Sequence, residues 1–153
     1  MIEPARGVRL GVDVGTVRVG LAVSDPDGIL ATPLETVTRA GPATDGDRPA
    51  PDMLRIAQLV HDLHVVQVVV GLPITLAGKE GMAAGLSRQY AANLAKLIDP
   101  VPVALTDERM STVAAARRLS ERGVRGRRQR AVVDQAAAVE ILQGWLDARR
   151  RMA

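Results

Sequence analysis

The chain has no cysteine and no phenylalanine, one tyrosine, one tryptophan and two histidines among 153 residues. Without thiols there is no disulfide scaffold, zinc ribbon or thiol nucleophile, and a reducing, cytoplasmic setting is expected. Tyr90 and Trp145 alone do not supply the row of stacking platforms on which single-strand binders lay their bases. A nucleic acid partner would therefore be held by its backbone. The longest apolar stretch, Val65 to Leu72, is interrupted by Gln67 and is far too short to cross a bilayer. The first residues, MIEPARGVRLGV, lack the charged-then-apolar pattern of a secretion signal, so the expectation is a soluble protein with no membrane association.

What is present fits one ordinary globular domain spanning residues 1–153, with 47% apolar and 24% charged residues. Net charge is only +3, but it is unevenly spread. Residues 1–108 hold 9 Lys/Arg against 13 Asp/Glu, whereas residues 109–153 hold 11 against 4. Seven arginines lie between Arg117 and Arg130, opposed by Glu121 alone, a density that suits a phosphate backbone. Arginine outnumbers lysine 18 to 2, so a solvated helical face in an arginine-biased chain is the competing reading.

Residues 8–24, VRLGVDVGTVRVGLAVS, alternate on both sides of Gly15-Thr16 and predict two strands joined by a two-residue turn with glycine first. That turn pairs Val14 with Val17, Val12 with Val19 and Leu10 with Leu21 on a core face. On the other face it pairs Asp13 with Arg18 and Gly11 with Gly20, leaving a nearly bare shelf where a bulky backbone could approach closely. A third strand is expected over about 29–38, with Pro33 favouring a sheet edge. After a loop at 41–51 come a helix at about 52–64, the strand VVQVVVGLP and a helix at about Met82–Ile98. The strand PVPVALTDE and helices at about Ser111–Arg122 and Arg130–Arg149 complete the chain. A hairpin followed by strand–helix units implies an α/β protein with a mixed five-stranded sheet and helices on both faces. Its first, fourth and fifth strands run parallel, and their carboxyl ends form the usual edge for a site.

Asp13 and the Asp107-Glu108 pair stand at that edge, and Asp134 shares a helical stripe with Ala138, Ile141 and Trp145 that turns it toward the sheet. Such acids, with no cysteine and no well-placed histidine, are hard oxygen ligands suited to Mg²⁺ or Mn²⁺ and phosphoryl chemistry. Each has a plainer alternative: Asp13 pairing with Arg18, Glu108 with Arg109, and Asp134 serving the start of its helix. GLPITLAGKEG is no P-loop, because six residues separate its first two glycines and Glu80 stands where Ser or Thr is needed. The segment fits better as a loop placing Lys79 beside a substrate, or as a plain connector. His61 and His64 read as surface histidines.

Four segments in order, GVDVGTVRVGLAVSD, VVVGLP, LTDERMST and VDQAAAVEILQGWLD, resemble the YqgF/RuvX family of ribonuclease H-like nucleases over most of residues 8–147. The chain departs mildly at Met110, where leucine is commoner, and in an enlarged loop at 41–51. The resemblance implies a ribonuclease H-like fold and Mg²⁺- or Mn²⁺-dependent phosphodiester hydrolysis. It also implies that Asp13, Glu108 and Asp134 are the metal-binding catalytic carboxylates, with Asp107 in reserve for the second position. The implied substrates are precursor 16S rRNA, trimmed in ribosome biogenesis, and four-way DNA junctions. Arg18, Lys79, Arg109, Arg117, Arg118, Arg122, Arg125, Arg127, Arg128 and Arg130 are the expected backbone contacts. No second exposed apolar face is evident, so a monomer or weak homodimer is expected. Two rival readings are a non-catalytic RNA-binding module and an ATP-binding sugar-kinase or actin-like protein, since DVGTVRVG resembles that superfamily's phosphate loop. The length suffices for little more than one of the two lobes such ATP-binding proteins need.

Overall fold

The computed structural model describes residues 6–40, 49–73, 81–107 and 127–152. Strands β1 (Arg9–Val14), β2 (Arg18–Ser24) and β3 (Ala31–Thr38) are followed by helix α1 (Pro51–Asp62) and strand β4 (Gln67–Leu72). Helix α2 (Met82–Ile98), strand β5 (Val103–Asp107) and helix α3 (Arg127–Met152) follow. The strands form one sheet in the order β3-β2-β1-β4-β5. β1 pairs antiparallel with β2 and parallel with β4, and β4 pairs parallel with β5. The expected mixed sheet and its shared carboxyl edge are present. The expected helix at Ser111–Arg122 lies outside the described residues.

Central position explains the sequence of β4, whose six residues are all buried because helices cover both faces. One face of the sheet, carrying Leu10, Val12, Val19, Leu21, Val68 and Val70, packs against α1 and α2. The opposite face, with Ala22 and Val69, packs against Ala137, Ala138, Ile141, Leu142 and Leu146 of α3. Pro51 opens α1 in the first turn, where its missing N–H costs no bond. Pro33 sits on the edge strand β3, at an irregularity where Leu21 pairs with Glu35 and Ala22 with Pro33, so Leu34 is the extra residue.

The hairpin register corrects the sequence expectation. Val14 pairs with Val19, Val12 with Leu21 and Asp13 with Gly20, and Gly15 N–H donates to the Arg18 carbonyl at 2.9 Å. Thr16 and Val17, not Gly15 and Thr16, therefore form the turn. Val17 leaves the core for the hairpin tip, where it is 58% exposed. Gly15 is not among the described glycines with positive φ, which are Gly7 and Gly28. It is glycine for space, since a Cβ there would fall 2.5 Å from the Arg18 carbonyl oxygen. Pairings shift by two positions, an even number, so every side chain keeps its expected face.

Candidate active site

Asp13 is the fifth residue of β1, at the carboxyl edge, and is only 4% exposed. Alternation along β1 gives it the face of Gly11, and Gly11 faces α3: a Cβ there would lie 2.7 Å from Leu142 Cβ and 3.0 Å from the Ala138 carbonyl oxygen. Across the ladder from Asp13 stands Gly20, whose Cβ would fall 2.1 Å from the carbonyl oxygen of Asp134 and 3.1 Å from its Cβ. The bare shelf is thus filled by the chain's own helix and is not left for a substrate backbone. Glycine at 11 and 20 lets α3 descend onto the sheet, and that descent brings Asp134 beside Asp13.

Asp134 is the eighth residue of α3, because the helix starts at Arg127, earlier than expected. That position removes the alternative of a cap or first-turn residue. Its carboxylate is held from the sheet: Arg18 Nε donates to Asp134 Oδ2 at 2.7 Å, with both side chains 24% exposed. Arg18 therefore pairs with Asp134, where the hairpin expectation placed it opposite Asp13. Alternation explains the contact, since Arg18 shares the face of Gly20, the residue under Asp134.

Asp107, last in β5, pairs with Leu72 and takes the face of Val103, the side of α1 and α2. It is on the sheet face opposite Asp13. Glu108, Lys79, Arg109, Arg117, Arg118, Arg122 and Arg125 lie outside the described residues. Arg127, Arg128 and Arg130 belong to the first turns of α3. The helix runs from Asp134 at the carboxyl edge through Ala138 and Leu142 over Gly11, so those turns precede Asp134 at the site end.

One contribution had no sequence signal. Arg39, just past β3, donates from Nη1 to the Gly15 carbonyl at 3.2 Å, and its guanidinium lies 5.2 Å from the Tyr90 ring centre. Tyr90 in turn donates its hydroxyl to buried Asp52 at 2.6 Å, and Asp52 also accepts from Ala40 N–H at 3.3 Å. Burial, reinforced by the Asp52 hydrogen bond, pushes the Tyr90 hydroxyl above its ordinary pKa. The chain tethers the turn after Asp13 to α1 and α2 through groups that read individually as ordinary surface or core residues.

Among the described residues the acids gathered here number two, and no group of three or more metal-ligating side chains forms. The donors are carboxylate oxygens, with no cysteine in the chain and with His61 carried by α1 on the other face of the sheet. Such a set fits Mg²⁺ or Mn²⁺ and not zinc.

The sheet order, the antiparallel hairpin and the helices on both faces define a ribonuclease H-like fold. Two solved structures of RuvC share it. One is titled "T. thermophilus RuvC in complex with Holliday junction substrate", with a TM-score of 0.52 and 18% identity over 96% of this chain and 98% of that one. The other, "Thermus thermophilus RuvC structure", has a TM-score of 0.50 and 18% identity over 94% and 96%. Residues 7–148 match the family described as "RuvX: Holliday junction resolvase", and the chain belongs to that family. A relative from Rhodococcus opacus is 56% identical over 97% of this chain and 82% of its own length. One from Mycobacterium ulcerans is 54% identical over 99% and 86%. Both carry the name "Putative pre-16S rRNA nuclease". No helix among the described residues is long and apolar enough to cross a membrane.

Proposed function

We propose that this chain is a cytoplasmic, Mg²⁺- or Mn²⁺-dependent phosphodiester hydrolase that trims precursor 16S rRNA, with Asp13, Glu108 and Asp134 as its metal-holding acids. The observation that carries the reading is the convergence of Asp13 and Asp134 over Gly20 at the carboxyl edge of parallel strands. The relatives' names support the substrate. Glu108 is chosen over Asp107 because Asp107 takes the opposite sheet face. Held by Asp13, Glu108 and Asp134, the ions would supply Lewis acidity and an activated water for phosphodiester hydrolysis.

The protein's own part is position and charge. Asp13 sits in a strand paired on both sides, so the sheet fixes its backbone and the face from which its side chain projects. Asp134 is fixed by the close seat of α3. Lys79, Arg109 and the arginines from Arg117 to Arg130 hold the phosphate backbone beside the acids. A single site cuts one strand at a time, so trimming requires no partner, and we assign a monomer or weak homodimer.

The test is cleavage of labelled rRNA precursor and of a four-way DNA junction during Mg²⁺ titration, without nucleotide, for wild type and Asp13→Asn. Metal-dependent trimming lost in the variant supports the reading. Paired symmetric nicks in the junction, with the precursor intact, would replace it by junction resolution. Tight RNA binding without turnover would leave a non-catalytic module.

A further inference from the structure

We infer that Arg18 is the resident counter-cation of the proposed metal site, and that metal loading exchanges its guanidinium for a divalent ion at Asp134. The inference rests on Asp134 being a ligand, as proposed above. Arg18 Nε lies 2.7 Å from Asp134 Oδ2, the short range of a charge-assisted bond. The register builds this contact: Arg18 and Gly20 share one face of β2, Asp134 sits on Gly20, and Asp13 is directly across from Gly20. Two carboxylates on one face repel, and the guanidinium beside them offsets that repulsion.

The same guanidinium opposes a divalent ion. Standing one hydrogen bond from a ligating carboxylate, it would be the ion's near neighbour, and like charges at that range repel by more than one hydrogen bond returns. With its side chain 24% exposed, Arg18 can swing its head to water while β2 stays paired. A substrate phosphate at the sheet edge would be its next partner.

An orienting role would have the opposite sign. If Arg18 served to aim Asp134 at the metal, removing it would weaken binding by about ten- to a hundredfold, as for other groups that support metal ligands. Exchange predicts tighter binding instead.

The experiment is calorimetric titration of the full chain with Mn²⁺, without nucleic acid, for wild type, Arg18→Gln and Asp134→Asn. Arg18→Gln is expected to bind Mn²⁺ about three- to tenfold more tightly than wild type, the scale of one partly exposed ion pair. It should melt below wild type without metal and gain more on metal addition. Equal or weaker binding overturns the exchange. A second measurement needs no variant: the Arg18 Nε–H signal in nitrogen-labelled wild type should lose its protection from solvent exchange as Mg²⁺ saturates. Protection retained at saturation overturns it as well. If wild type and Asp134→Asn bind Mn²⁺ alike, it is the metal-site reading that fails, and the exchange fails with it.

Discussion

The carbonyl oxygen of Asp134 occupies the space where a side chain at Gly20 would begin, 2.1 Å from a Cβ built there. Because Gly20 is also the cross-strand partner of Asp13, one missing methyl group determines both how α3 packs and how near the two acids stand. The obstacle to any side chain is helix backbone, which cannot rotate away as a flexible side chain would. Gly20→Ala is therefore expected to cost about 3 kcal/mol or more by overpacking, and to lower turnover beyond what the lost stability explains. Denaturant unfolding and single-turnover cleavage on the residual folded fraction measure the two effects. A variant with wild-type stability would show that α3 is not seated as described.

Asp13→Asn keeps the size and shape of a side chain that is 4% exposed, and removes one negative charge from the acid pair. The variant should fold and bind nucleic acid while turnover falls by about two orders of magnitude or more. Ca²⁺ should bind wild type but support little cleavage, because its looser coordination positions water poorly. Comparable rates in Ca²⁺ and Mg²⁺ would argue against metal-assisted hydrolysis at this site.

The two neighbouring acids at the end of β5 give a sharper contrast. Asp107 takes the face of Val103 and Leu72, away from Asp13. Asp107→Asn is expected to hold turnover within about threefold of wild type, whereas Glu108→Gln should lower it as far as Asp13→Asn does. The reverse ranking, with both variants folded, would move the second ligand to Asp107.

The face of Asp13 was legible because apolar alternation in residues 8–24 records which side chains are buried, and the parallel run of β1, β4 and β5 was legible because helices alternate with the later strands. Alternation records parity, not register, so the hairpin slipped by two positions without moving a side chain to the wrong face. Gly15 was misleading because glycine more often marks positive φ in such turns, whereas here it makes room for the Arg18 carbonyl. The close approach at Gly11 and Gly20 was visible as an absence of side chains. Nothing local said that the approaching backbone was α3, far along the chain, and so the Arg18–Asp134 bond could not be read. Arg39 was missed for the same reason, as its partners Gly15 and Tyr90 come from distant elements.

Acid should weaken the fold through two carboxylates whose pKa values lie below the ordinary range. Glu35 is lowered chiefly by its hydrogen bonds from Arg55, both at 2.8 Å. Asp25 is lowered chiefly by the backbone N–H of Leu30, at 2.7 Å. A depressed folded pKa means that the stabilisation is present above the unfolded value and disappears as pH falls through the folded one. Glu35→Gln should therefore melt below wild type at neutral pH and converge with it near pH 3. The shift is small, because the Glu35–Arg55 pair is partly exposed to solvent. A gap that stays constant from neutral to pH 3 would assign the loss to packing instead of charge.

The arginines at 125, 127 and 128 precede Asp134 in sequence, and positions 127 and 128 open the helix whose axis starts at the site end of the sheet. With one tryptophan and one tyrosine in the chain, recognition by stacking has little to work with, and backbone charge is the remaining device. Phosphate contacts release condensed counterions, so each one adds about 0.7 to 0.9 to the slope of log affinity against log salt. Replacing Arg125, Arg127 and Arg128 by alanine should weaken binding similarly across unrelated sequences and flatten that slope by up to about three. Asp13→Asn, by contrast, should leave the slope near its wild-type value, because it removes no cation. Fluorescence anisotropy on precursor RNA and on a scrambled hairpin between roughly 50 and 200 mM salt separates the outcomes. An unchanged slope in the triple variant would make these arginines a solvated helical face, and the grip on the backbone would have to come from Lys79, Arg109 and the remaining arginines.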